Sequence, residues 1–202
     1  MKYLIILFSA YYMLSCNSEE KIAVVGKSDF QKRMNAEFKD ATKTPLTKKD
    51  FKNFKGLDFY PIDSSYKVVA TIVKTPNSPI FEMKTTTDRK PLYKKYGVLY
   101  FTLHQKKLQL DVFQSQDIDV DSIYKSYLFL PFTDNTSGTT SYAAGRFIDL
   151  RTTDEKEGTI IIDFNKAYNP YCAYNHNYSC PITPESNHLN VDVKAGVMAY
   201  KK

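Results

Sequence analysis

The stretch Leu99-Tyr-Phe-Thr-Leu-His-Gln-Lys-Lys-Leu-Gln-Leu-Asp-Val112 decides the fold. Leu99, Phe101 and Leu103 alternate with Tyr100, Thr102 and His104, and Leu108, Leu110 and Val112 alternate with Gln109 and Asp111. A period of two is the signature of strands with one apolar face. The polar residues Gln105 to Lys107 predict a turn between the two runs. The strands therefore pair antiparallel, with their apolar residues on a shared face.

The same pattern recurs on both sides. Val68 to Val73 reads as a strand, Thr75-Pro76-Asn77-Ser78-Pro79 as a turn, and Ile80 to Thr85 as the returning strand. Tyr127 to Phe132, Gly145 to Leu150, Thr159 to Phe164 and Leu189 to Val193 are further short strands. Helical signals are confined to the N-terminal part. Ser28 and Gln31 have capping-box spacing, Asp29 sits in the first turn, and Phe30, Met34 and Phe38 make one stripe up to Asp40. Pro45 breaks that segment, and Thr47 opens a shorter one carrying Phe51 and Phe54. With no internal repeat or linker, residues 28–202 are expected to form one mainly-β domain. Its expected form is an antiparallel β-barrel or sandwich-like body with one or two N-terminal helices.

The first residues read as an address. Lys2 precedes an almost wholly apolar run from Tyr3 to Leu14, the length of a signal-peptide core and short for a membrane span. The run ends in Met13-Leu14-Ser15-Cys16, which resembles the lipobox of bacterial lipoproteins, with Met13 where Leu is usual. On that reading residues 1–15 are removed, Cys16 is acylated, and residues 16–27 tether the domain to a membrane through several acyl chains. Asn17, in place of Asp, favours the outer membrane. Asn17-Ser18-Glu19-Glu20 also looks like the acidic tags that send some lipoproteins of Bacteroidota-type bacteria to the cell surface. A periplasmic or surface-exposed outer-membrane lipoprotein is the expectation, and nucleic acid is not an expected partner. The formal charge of +6 is then a solvated lysine surface or an attraction to anionic envelope components.

Cys172 and Cys180 remain beside Cys16. In an oxidising compartment their short spacing favours a local disulfide, worth roughly 2–3 kcal/mol on the chain-entropy model. Free thiols and a zinc site using His176 and His188 are the alternatives, although the spacings match no standard zinc pattern. Neither a metal nor a cofactor is expected.

Polar groups concentrate beside strand ends in three places. Pro131 to Gly138 includes Asp134. Ser141 to Asp149 places Arg146 on one strand face with Ile148, and Phe147 on the other with Asp149. The third is the block from Asp163 to Pro181, rich in Tyr, Asn, Pro and Cys.

Taken together these segments resemble a bacterial family, the domain of unknown function 1684. The resemblance rests on Leu130-Pro131-Phe132 with Asp134, Thr136 and Gly138, on Tyr142, and on Gly145-Arg146-Phe147-Ile148-Asp149. It continues through Asp163-Phe164-Asn165-Lys166-Ala167-Tyr168-Asn169-Pro170, Cys172-Ala173-Tyr174-Asn175 and Cys180-Pro181. Thr44-Pro45-Leu46 and Gly56-Leu57 fit as well. Val197, after Ala195-Gly196, departs from the acidic residue usual in the family. The resemblance implies a shared fold and a shared polar site without a named reaction.

Three functions follow from the residues. A binding module would use Arg146 to clamp an anion, with Asp134, Asp149, Asp163, Asn165, Tyr168, Asn169, Tyr174 and Asn175 around a small polar or carbohydrate-like ligand. A structural lipoprotein would bury Arg146 with the aspartates as an ion-pair network. A hydrolase would use Asp134, Asp149 and Asp163 as acid and base, in a chain that has no Gly-x-Ser-x-Gly elbow, His-Glu-x-x-His helix or phosphate loop.

Overall fold

The computed structural model of the chain describes residues 28–117 and 125–201. The expected signal segment 1–15, Cys16 and the tether up to residue 27 lie outside the described residues. Ser28 caps helix α1, Asp29–Lys39, in a capping box: its Oγ accepts from Gln31 N–H and its own N–H donates to Gln31 Oε1, both at 3.2 Å. Phe38 on this helix is fully buried, its ring 4.7 Å from that of Tyr174 and 5.8 Å from that of Phe54. Helix α2, Lys48–Asn53, follows the break at Pro45 and is capped by Thr47.

The remainder is mainly β. The strands are β1 Lys67–Lys74, β2 Ile80–Glu82, β3 Leu92–Leu103, β4 Lys106–Ser115, β5 Tyr127–Asp134, β6 Arg146–Arg151, β7 Thr159–Asp163 and β8 His188–Leu189. They are ordered β6-β5-β4-β3-β1-β7 in an antiparallel sheet, with β2 added to β3 and the short β8 parallel to β5. The sheet curls into a half-barrel, not the closed barrel the strand pattern allowed. Its end strands β6 and β7 share no ladder, because a loop has taken the free edge of β6. Phe147 N–H donates to Tyr168 O at 2.9 Å and Tyr168 N–H returns to Phe147 O at 3.0 Å.

The central hairpin has the expected register, with Leu99 opposite Leu110 and Phe101 opposite Leu108. Its turn is tighter than Gln105 to Lys107. Pairing runs to Leu103↔Lys106, which leaves His104 and Gln105 as a two-residue turn with φ of 48° and 65°. Both values are positive, as a strand-matched mirror-image turn requires, although neither residue is the customary Gly or Asn. Strand β3 also begins earlier than its alternation suggested, at Leu92, with a bulge between Lys95 and Gly97.

One sheet face packs the main core. Leu99, Leu110, Leu128, Leu130, Ile148, Ile160 and Ile162 lie there under Leu189, Val191, Val193 and Ala195 of the C-terminal segment. Of the strand expected over Leu189 to Val193, only His188–Leu189 forms a ladder. The rest is held by separate bonds, including Tyr60 N–H to Gly196 O, Val197 N–H to Ala167 O and Ala199 N–H to Thr140 O. Gly196 makes this crossing possible: its φ is +78°, and a Cβ there would lie 2.5 Å from Ala167 O. The opposite face carries an aromatic cluster of Phe113, Phe129 and Phe147 with Met83, joined by Tyr93, Tyr127 and Tyr168. Strand β5 is thus covered on both faces, which accounts for its unbroken apolar run Leu128 to Phe132.

Candidate functional site

The predicted site residues separate into several places. Arg146 begins β6 and points into the main core, fully buried. Its guanidinium donates to Val193 O at 2.8 Å, to Ala195 O, to Val197 O at 3.4 Å and to Asp134 Oδ1 at 3.1 Å. It also lies 5.2 Å from the ring centroid of Phe132 and 5.7 Å from that of Tyr60. Burial pulls its pKa below the ordinary guanidinium range, and the Asp134 carboxylate opposes that. Asp134, at the end of β5, is saturated. Its Oδ2 accepts from Val193 N–H at 2.8 Å, Thr136 N–H at 3.1 Å and Thr136 Oγ1–H at 2.7 Å, while Oδ1 also takes the Ser137 hydroxyl. The pair thus does the work of a missing strand ladder, with Arg146 gripping alternate carbonyls of the C-terminal segment and Asp134 the Val193 N–H. Only Arg146 Nε is left without a partner.

Asp163 and Asn165 form a second unit where β7 ends. Asp163 Oδ1 accepts from Asn165 N–H at 3.2 Å, and the Asn165 amide bonds both Asp63 N–H at 3.0 Å and Asp63 O at 2.9 Å. This amide ties the residues before β1 to the end of β7. The unit borders an open cleft of about 840 Å³ that Arg33, Lys67, Lys166 and Lys194 also line. Asp163 and Asp149 both border another cleft, of about 670 Å³, between β7 and β6.

Asn169, Tyr174 and Asn175 are scaffold within their loop. Asn169 Nδ2 donates to Met198 O at 2.9 Å and Tyr174 OH at 3.3 Å. The Tyr174 ring is buried against Phe38, and Asn175 Oδ1 accepts from Asn177 N–H at 3.1 Å in a local turn.

Asp149 and Tyr168 belong to a third place, on the aromatic face. Asp149 Oδ1 accepts from Tyr168 OH at 2.5 Å and from Tyr127 OH at 2.9 Å. Strand pairing positions this arrangement: Phe129 sits opposite Asp149, and Tyr127 opposite Arg151, all on one face. Burial raises the pKa of both phenols, as does the neighbouring carboxylate, so each stays protonated and donating at neutral pH. Asp149 is nevertheless exposed, and its Oδ2 has no hydrogen-bond donor among the described residues. It opens into a cavity of about 380 Å³ bounded by α1, β6 and the loop from Tyr168 to Pro181.

The sequence did not single out Tyr127, although hairpin register between β5 and β6 places it beside Asp149. Phe30, Met34 and Glu37 of α1 and Tyr171 and Tyr178 of the loop complete the cavity wall. No local pattern points to them, because they meet only when the helix docks on the loop.

Cys172 and Cys180 stand as adjacent thiols, with Cys172 N–H donating to Cys180 Sγ at 3.1 Å. The thiol–thiol hydrogen bond holds Cys172 down to about 7 and pushes Cys180 up. The Tyr142 hydroxyl lies 3.9 Å from Cys172 Sγ. Burial, with the sulfur beside it, pushes that phenol up to about 12. Of the two histidines in the zinc alternative, His188 Nδ1 meets Thr133 Oγ1 at 3.0 Å. No group of three or more His, Cys, Asp or Glu able to hold a metal occurs among the described residues. No described helix is long and apolar enough to cross a membrane.

The geometry defines a mainly-β half-barrel with one sealed carboxylate, Asp134, and one open carboxylate, Asp149. The chain belongs to the family described as protein of unknown function DUF1684, whose family model matches residues 52–198. It is similar to an uncharacterized protein from gene locus rrnAC0354 of Haloarcula marismortui, solved by solution NMR. Identity is 32%, coverage is 83% of this chain and 89% of that one, and the TM-score is 0.66. No curated protein matches the chain.

Proposed function

We propose that this protein is an outer-membrane lipoprotein, anchored through Cys16, that captures a small polar or carbohydrate-like ligand in the Asp149 cavity. The observation that carries the reading is the Asp149 carboxylate. Two half-buried phenols fix one oxygen, the other has no donor among the described residues, and the residue lines an aromatic-walled cavity. Such a carboxylate is oriented in advance, so a ligand donor meets it without the cost of ordering it. Ring faces beside a fixed acceptor suit a polar ring ligand.

The lipobox-like Met13-Leu14-Ser15-Cys16 supports the anchor, and Asn17 with Glu19 and Glu20 supports the outer-membrane and surface address of a Bacteroidota-type lipoprotein. In that oxidising setting the adjacent Cys172 and Cys180 thiols close as a disulfide that staples the cavity loop. A structural role is favoured at one place by a specific observation: every oxygen of Asp134 is engaged internally, so the Arg146 network fastens the fold and binds nothing else.

Calorimetric titration of the full lipoprotein with a panel of mono- and oligosaccharides tests the capture role. Binding is expected, with loss on Asp149→Asn at unchanged melting temperature. No heat from any compound would sink the reading. The anchor is tested by detergent-phase partition, which Cys16→Ser should abolish.

A further inference from the structure

The cavity beside Asp149 has an unusual charge for this chain. The protein carries a formal charge of +6, yet the charged side chains lining the cavity are two acids, Glu37 from α1 and Asp149 from β6. Among the described residues no Lys or Arg lines it. The rest of the wall is largely aromatic: Phe30, Phe147, Tyr168, Tyr171 and Tyr178.

The two acids are held in the same way. Glu37 Oε1 accepts from Tyr171 OH at 2.6 Å, as Asp149 Oδ1 accepts from Tyr168 and Tyr127. Each keeps a second oxygen with no hydrogen-bond donor among the described residues. Burial raises the pKa of Tyr171, so it too stays neutral and donating. Two guanidiniums touch residues of this region. Arg89 bonds Ser179 Oγ at 3.1 Å, and the Arg151 guanidinium lies 5.7 Å from the Tyr127 ring centroid. Tyr171 and Tyr178 meet edge to face at 5.2 Å, and Phe147 and Tyr168 at 6.1 Å. The cavity therefore offers fixed negative charge and ring surface, the combination that binds organic cations.

We propose that this cavity binds a small organic cation, an amine or quaternary ammonium group, with Asp149 and Glu37 as counter-ions and the rings as its walls. The inference deepens the capture role proposed above and rests on the same cavity. Glu37, Phe30 and Met34 lie on α1, outside the matched span of residues 52–198.

The test uses the full lipoprotein in a detergent free of sugar and choline groups, titrated calorimetrically with glucosamine, N-acetylglucosamine, glucose and tetramethylammonium chloride at matched ionic strength. Glucosamine is expected to bind at least tenfold more tightly than its neutral N-acetyl counterpart. Tetramethylammonium should compete with it. Asp149→Asn and, separately, Glu37→Gln should each weaken glucosamine at least fivefold without lowering the melting temperature. Two substitutions on different elements guard against one that disturbs the fold. Flotation of the unanchored Cys16→Ser protein with phosphatidylcholine vesicles separates the sources: flotation that both cavity substitutions abolish assigns the cation to a lipid headgroup, and its absence to a free amine. Equal binding of glucosamine and N-acetylglucosamine would overturn the cation preference and leave the capture role standing. No binding by any compound would overturn both.

Discussion

Asp134 and Asp149 sit on neighbouring strands only fifteen residues apart, yet one ends in the core and the other at a cavity. Asp134 meets a guanidinium, two backbone N–H groups and two hydroxyls, and has no exposed oxygen. Asp149 meets two phenols on a single oxygen and keeps the other open. A carboxylate whose capacity is used up internally fastens structure. One that is oriented but half satisfied is ready for a ligand. Strand alternation produces the split, since Arg146 and Ile148 face the core while Phe147 and Asp149 face the aromatic cluster.

Substitution at the two carboxylates gives the largest expected contrast. Asp134→Ala leaves Arg146 buried without its counter-ion and should cost about 3–5 kcal/mol in urea unfolding. Asp149→Ala should cost no more than about 1 kcal/mol. Equal costs would erase the distinction between a sealed and an open centre. The loop that closes the cavity provides the next effect. Under oxidising conditions Cys172→Ser should lose about 2–3 kcal/mol, and dithiothreitol should abolish the difference from the parent protein. In the reduced protein Cys172 should alkylate before Cys180, with its rate rising through a midpoint near pH 7, the position to which its neighbours hold it. Mass mapping of alkylated peptides reads this directly, and equal rates at both sites would refute it.

Ser28→Ala removes the cap of the helix that supplies one cavity wall, and should cost about 1 kcal/mol by thermal unfolding while also weakening ligand. The smallest change is expected from Asp149→Asn, which keeps an acceptor for both phenols. Its stability should stay within about 0.5 kcal/mol of the parent. A larger loss would mean that the Asp149 charge, like that of Asp134, serves the fold.

The sequence revealed the parts of this comparison but not their separation. Alternation located the strands because each has a face that must be buried, as Leu99, Phe101 and Leu103 show. It also put Arg146 and Asp149 on opposite faces. What it lacked was the register that brings Tyr127 to Asp149, and the docking of α1 that brings Glu37 to Tyr171. Both are set by packing between elements distant in the chain. The tight His104–Gln105 turn was missed because its residues lack the usual glycine signal. The strand pattern left closure open, and the pairing of Phe147 with Tyr168, a loop residue, is one that no strand pattern would nominate.

The grip of Arg146 on Val193, Ala195 and Val197 sets a timetable for folding. The segment that carries these carbonyls also bonds residues far earlier in the chain: Gly196 O accepts from Tyr60 N–H, and Val193 N–H donates to Asp134 Oδ2. Until residues 193–197 have docked, the Arg146 charge lacks these carbonyl partners and that side of the core lacks its cover. Such late, long-range closure is slow. A chain in which this segment has not yet docked is an open sheet, the state in which a protease would meet it.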